Sequence, residues 1–398
     1  MPIPTQPIAD LPTPDADALA HSDRLRAHIV AEIDEAGGAI TFERYMELAL
    51  YAPGLGYYSA GAQKFGAAGD FITAPEVSPL FSRIVARQWI EILTAIGGDT
   101  VLELGAGSGA LAAAALTEMA ERDALPAHYR ILETSAELRA RQQARLEQAL
   151  PAEVLARVTW LDALPETPFR GVIFGNEVLD ALPVARFQVT DDGLCEQGVA
   201  HNGGELVGWP LAPRAALREA VTTLEAERGA PFPPGYASEI NLNLSPFVRG
   251  LAECLDRGAM LLIDYGLPRS AFYLAERAAG TLMCHYRHRA HGDPFLYPGL
   301  QDITAYVDFT AVAEAGVAAG LDVDGYTTQA FFLLAGGLED ELRESDAEAT
   351  RAHLELTQQV KMLTSPADMG ERFKAILVGR GLDEPPSAFA LRDLTHQL

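Results

Sequence analysis

Cysteine is scarce in this chain: Cys195, Cys254 and Cys284 are the three in 398 residues. Thiols this far apart cannot form a complete set of disulfides, and they lack metal-ligand spacing, so buried or incidental thiols are expected. Positive charge is short as well. Thirty Lys and Arg stand against 55 Asp and Glu, a formal net charge of −25. Such a surface repels phosphate backbones and anionic membranes, which argues against a nucleic-acid partner and is compatible with a basic protein or a cationic small molecule. Long apolar runs are missing too: none approaches the roughly 20 residues of a membrane span, so no membrane insertion is expected. Residues 1–22, rich in Pro, Ala and Asp, have no basic head and read as a flexible tail, not a signal or transit peptide. The expected address is the cytoplasm.

What the chain does have is apolar residues, 48% of the total, and a regular alternation of elements. Residues 23–98 read as a helical cap. RLRAHIVAEIDEAGG and ITFERYMELALYA are helical, with Thr41 a candidate cap, and SPLFSRIVARQWIEILTAIG has apolar residues at helical spacing. Between them runs a loop rich in Gly and aromatics. Strands are expected at 100–104, 129–133, 158–162 and 171–177, alternating with helices, which implies parallel βαβ units with ligands beyond the carboxyl ends of the strands. From about residue 186 the pattern changes. Short alternating stretches split by Asp-Asp-Gly and Asn-Gly-Gly predict an inserted antiparallel hairpin region over 186–237. Helix and strand then resume. Residues 329–363 look mostly helical, and 373–379 could be a last strand pairing antiparallel beside its predecessor. The core is therefore expected at 99–185 and 238–380, with 381–398 as an extension.

VLELGAGSGAL puts Gly105, Gly107 and Gly109 at a strand-to-helix turn, where backbone can touch a ligand and the helix N-terminus offers free N–H groups. The same residues satisfy a dinucleotide pattern, with Ala110 completing it. Glu133, ending the second strand, suits ribose hydroxyls in either an NAD or an S-adenosylmethionine reading. Glu103 separates the two: a carboxylate at the loop mouth repels a diphosphate and welcomes the ammonium and sulfonium of S-adenosylmethionine. Asp162, after the third strand, either accepts from the adenine amino group or caps a helix. Asn176 and Glu177 end the fourth strand in GNEVLDALPV. An Asn carbonyl orients a nucleophilic nitrogen and a Glu neutralises or deprotonates it. Asp180 either joins them or caps a helix.

Five segments in order, GYYSAGAQKFGAAGDFITAPEVSPLF, VLELGAGSG, GNEVLDALPV, LLIDYG and QDITAYVDFTAVA, together resemble the MidA-like family, over roughly residues 25 to 380. That family includes the mitochondrial complex I assembly factor that methylates arginine. The resemblance implies a seven-stranded, Rossmann-like class I methyltransferase sheet with an N-terminal cap and insertions, and a helical insertion before the last strand. It implies S-adenosyl-L-methionine as methyl donor and a protein substrate, a respiratory complex I subunit in the mitochondrial member. Eukaryotic relatives would work in the mitochondrial matrix. The GDFITAPEVS segment would fold over the cofactor, with Gly69 allowing close approach and Thr73 binding the methionine carboxylate.

Arginine is a hard nucleophile to use, because guanidinium stays protonated and delocalised. Carboxylates must grip it and accept a proton. Glu177 is the first choice, Asp180 or Glu239 the second. Asp264 and Tyr265, after the fifth strand, are candidate pocket residues, as is Asp308, which could equally cap the next helix. The segment HYRHRAHGDP spaces His285, His288 and His291 three apart. Without a Cys or carboxylate set beside it, it reads as a solvated or substrate-facing loop that brings His285 to the pocket, not as a metal site.

Overall fold

Five strands of this chain read as nearly continuous apolar runs, the pattern of strands covered on both faces. In the computed structural model, which describes residues 11–59, 72–344 and 350–398, they lie side by side in one sheet. The described chain divides into two compact units, 1–71 with 180–244 and 270–306, and 72–179 with 245–269 and 307–398.

The larger unit holds the sheet. Its strand order is Asp322–Thr328, Phe373–Arg380, Leu255–Leu267, Phe169–Asn176, Thr100–Leu104, His128–Leu132 and Val158–Leu161. An eighth, two-residue strand, Val307–Asp308, pairs with Leu255–Leu267 and was not foreseen. The middle and far strands pair parallel. Phe373–Arg380 runs antiparallel to both neighbours, beside its predecessor Asp322–Thr328 as expected and also beside Leu255–Leu267. One sheet edge is thereby set so that the carboxyl ends of the parallel strands face the same way as residues Phe373 and Lys374.

Helix Pro79–Ile96 belongs to this unit, not to the expected cap. The reason is its face: Phe81, Val85, Trp89 and Ile92 are buried, and Trp89 meets the rings of Tyr129 and Phe174 at 6.1 and 5.2 Å. Ser78 caps its start, and Gly97 ends it in the left-handed conformation. The C-terminal residues also dock here. Phe389 is buried in the core cluster and Leu394 N donates to Tyr326 O at 2.7 Å.

The smaller unit is built on a five-stranded antiparallel sheet of Ile40–Thr41, Ala185–Thr190, Gly193–Asn202, Glu205–Leu211 and Ala237–Ile240. Its two tight hairpins fall where the Asp-Asp-Gly and Asn-Gly-Gly signals predict, with Thr190 paired to Gly193 and Asn202 to Glu205. Helix Ala16–Glu35 starts inside the expected tail, capped by Asp15, because Leu25, Ile29 and Ile33 give it an apolar face to bury. Thr41 caps Phe42–Tyr51 as expected. The unit thus recruits the N-terminal helices and residues 270–306, well beyond the 186–237 insertion read from sequence. Among the described residues, no helix is long and apolar enough to cross a membrane.

Candidate functional site

Gly105, Gly107 and Gly109 all have positive φ, at 57°, 53° and 80°, so this loop needs residues without a Cβ. At Gly109 space is the second constraint, since an added Cβ would stand 3.3 Å from the Gln142 Cα. Helix Ala136–Ala149 therefore packs directly on the loop. Gln142 is the residue that joins them: its Nε2 donates to Gly107 O at 3.1 Å and to Glu133 Oε2 at 3.0 Å, and its Oε1 accepts from Trp160 Nε1 at 2.9 Å. The loop is braced from the other side. Ser108 Oγ bonds Glu76, and Arg145 Nη1 reaches both Glu76 at 3.1 Å and Ser108 at 3.0 Å. None of Gln142, Glu76, Ser108 and Arg145 was singled out from sequence. The signal for Gln142 was its place between Leu138 and Leu146 on the helix face that is buried.

Glu103 is not at an open mouth. It lies in the strand interior, 3% exposed, and Tyr129 Oη donates to its Oε2 at 2.6 Å. Burial pushes its carboxyl up to about 7, against the pull of the Tyr129 hydroxyl and with the help of the Glu133 charge. Glu133 ends up buried as well, accepting from Ser135 N at 2.9 Å and from Gln142. Its carboxyl is also raised by burial. Asp162 follows its strand as expected; its side chain caps no helix and is exposed, paired with Arg139 at 2.5 Å. Thr73 heads a four-residue helix, Ala74–Val77, without a side-chain cap bond. Gly69 lies outside the described residues.

At the end of Phe169–Asn176 the chain does something uncommon. Glu177 takes φ 54°, a left-handed conformation that costs a residue with a Cβ about 1–2 kcal/mol. Asn176 Nδ2 donates to Glu177 Oε1 at 2.9 Å. Asn176 Oδ1 is buried and has no hydrogen-bond partner. Strain and an orphaned acceptor at a strand end are features that recur at ligand sites. Asp264 is near, but its carboxylate is turned to backbone amides of the segment after Glu177. Tyr265 packs edge-on to Phe373 at 5.5 Å. Asp308 caps helix Phe309–Ala318 and pairs with Arg269 at 3.1 Å, the structural one of its two readings.

Three expected site residues belong to the smaller unit. No helix begins at Asp180, so capping falls; the residue is buried and its carbonyl accepts from Ala305 N at 3.0 Å. Glu239 is 1% exposed and holds Arg186 at 3.3 Å, Thr281 N at 2.8 Å and Thr281 Oγ1 at 3.2 Å. Gly280 stands so close that a Cβ would lie 2.4 Å from that carboxylate. Glu239 is thus committed to joining its strand to the 280–281 turn, which overturns its assignment as a grip for substrate. His285 lies on strand Met283–Tyr286, paired to Arg289–His291 in a hairpin, not on a loop. Burial drops its imidazole to about 4, so it is neutral at pH 7. Among the described residues no group of His, Cys, Asp and Glu is placed to hold a metal.

The large-unit site fits S-adenosylmethionine. Burial raises the carboxyls of Glu103 and Glu133 beside the glycine loop, and a cationic ligand there would favour their ionised forms. The orphaned Asn176 Oδ1 offers one more acceptor. Fold and site together define a methyltransferase of the α/β class. Residues 84–327 match the family described as "Putative S-adenosyl-L-methionine-dependent methyltransferase", and the chain belongs to it. A Burkholderia thailandensis protein crystallised with S-adenosyl-homocysteine bound is 50% identical, with TM-score 0.93, covering 98% of this chain and 100% of that one. The "Protein arginine methyltransferase NDUFAF7 homolog, mitochondrial" of Drosophila melanogaster is 29% identical over 93% of this chain and 88% of its own. Its Danio rerio counterpart is 29% identical over 87% and 85%. The protein is an S-adenosylmethionine-dependent methyltransferase.

Proposed function

We propose that the methyl acceptor is an arginine side chain of a protein, gripped by Glu177. The observation that carries this is the Asn176–Glu177 pair. A carboxylate is held in a strained conformation at the strand end, hydrogen-bonded to an amide whose own carbonyl oxygen is left unsatisfied. A guanidinium offers several N–H donors in a planar fork, which suits a carboxylate beside an unsatisfied amide oxygen. The relatives named as protein arginine methyltransferases support the same acceptor.

Bound S-adenosylmethionine supplies an electrophilic methyl group on a sulfonium. Glu133, held in place by Gln142, would take the ribose hydroxyls, and Glu103 would balance the positive charge. Glu177 would fix one guanidinium nitrogen and localise charge away from it, then take the proton that nitrogen loses as the C–N bond forms and the methyl–sulfur bond breaks, leaving S-adenosylhomocysteine. Asn176 Oδ1 orients the acceptor.

The test is incubation with a labelled methyl donor and arginine peptides, beginning with the complex I subunit that the family resemblance suggests. Label should appear on arginine. Glu177→Gln should lower turnover by about 100-fold or more with donor affinity kept. Label found only on a small molecule, or equal turnover by the variant, overturns the proposal.

A further inference from the structure

Strand Leu255–Leu267 pairs with Phe169–Asn176 as far as Ile263, and with Val307–Asp308 from Gly266 onward. Asp264 and Tyr265 lie between the two pairings, where the chain leaving Asn176 separates from the ladder. Glu177 N makes the last ladder bond, to Ile263 O at 2.9 Å. The next two amides have no strand to pair with. Both turn to one carboxylate: Val178 N and Leu179 N donate to Asp264 Oδ2 at 3.1 and 2.8 Å. The other oxygen, Oδ1, accepts from Tyr265 N at 2.9 Å.

Asp264 is 1% exposed, so water does not compete for these amides. Three consecutive N–H groups, those of Glu177, Val178 and Leu179, are therefore referred to two consecutive residues of one central strand. Rotating Glu177 out of its left-handed conformation, φ 54°, would carry the Val178 and Leu179 amides off the carboxylate. Val178 also faces the glycine loop, its Cγ2 standing 3.7 Å from where a Gly105 Cβ would be. A displaced turn would disturb both.

We propose that Asp264 is a positioning residue that clamps the Glu177 turn and so aims the Glu177 carboxylate at the methyl acceptor. The inference rests on the role given to Glu177 above. Asp264 itself touches neither acceptor nor donor in this scheme. Its charge matters because an ionised carboxylate accepts from several amides at once, and each such bond is charge-assisted. Asn at 264 keeps the shape and one accepting oxygen, but turns an N–H donor toward the Tyr265 amide.

The experiment compares wild type, Asp264→Asn and Asp264→Ala, each saturated with S-adenosylhomocysteine. Amide hydrogen exchange is read at 177–179 and 265, S-adenosylhomocysteine affinity by titration, and kcat and KM with an arginine peptide. Exchange of Val178 and Leu179 should quicken by about 100-fold in Asp264→Ala and less in Asp264→Asn. Turnover should fall by about 100-fold and about 10-fold in the same order, with S-adenosylhomocysteine affinity within about three-fold of wild type. Should Asp264→Ala fail to fold, the isosteric Asp264→Asn decides by the same measurements. Unchanged exchange at 178–179 in a folded Asp264→Ala overturns the clamp whatever the acceptor is, and so does unchanged exchange at 178, 179 and 265 together in Asp264→Asn. Loss of S-adenosylhomocysteine affinity in step with kcat also overturns it, since that is general damage to the fold. Wild type that labels no arginine counts against the proposed acceptor, and the exchange result still judges the clamp.

Discussion

Glu177 carries two costs that a purely structural residue would not keep, a left-handed backbone and a carboxylate beside an orphaned amide oxygen. Glycine adopts that backbone freely, so Glu177→Gly is expected to raise stability by about 1 kcal/mol while abolishing methyl transfer. Denaturant unfolding beside a turnover assay checks this; a less stable variant would refute the strain. Glu103 gives a pH signature. Its carboxyl is raised to about 7 in the folded protein, so the stability it contributes is full below the ordinary carboxyl range and is lost as pH rises through about 7. A bound cation favours the ionised form, so affinity for S-adenosylmethionine should rise as pH passes from 6 to 8. Glu103→Gln should flatten that rise. Calorimetric titration at several pH values is the check, and equal slopes in the two proteins would exclude Glu103 as the charge partner.

Between elements, the contacts that matter are few and polar. Gln142 ties helix Ala136–Ala149 to the glycine loop and to Glu133 at once. Removing it leaves Gly107 O and the buried Glu133 carboxylate short of a donor, and Gln142→Ala is expected to weaken cofactor binding about 10-fold. A titration with unchanged affinity would show that the loop holds its shape without the helix. Apolar contact does the rest. Trp89 on helix Pro79–Ile96 is fully buried against Tyr129 and Phe174. Trp89→Ala should cost about 3–5 kcal/mol of unfolding free energy, read from the denaturant midpoint, and a loss below 1 kcal/mol would mean that the helix is not seated on the sheet.

For the molecule as a whole, charge is the dominant feature. A net −25 attracts basic peptides over distances set by salt. The rate with an arginine-rich peptide at low substrate concentration should therefore fall as ionic strength rises from 0.05 to 0.5 M, by about 10-fold. A flat salt profile would show that recognition is short-ranged.

The parallel core, the glycine loop and the hairpin signals at Asp191–Gly193 and Asn202–Gly204 were legible in the residues, because each is governed by local rules: apolar periodicity, positive φ, tight turns. So was the ambiguity of Asp308, which a local rule could state but not resolve. Partners distant in sequence were not legible. Glu239 reads as a candidate acid until Thr281 and Arg186 are seen on it, and Asp264 as a pocket residue until Val178 and Leu179 are. The boundary between the units also escaped, since the N-terminal helices and residues 270–306 join a sheet made elsewhere in the chain. Sequence by itself determined the elements and the cofactor loop, whose causes lie within a few residues. Only tertiary structure decided which carboxylates are committed to the protein's own amides and cations, because that depends on which strands end beside one another.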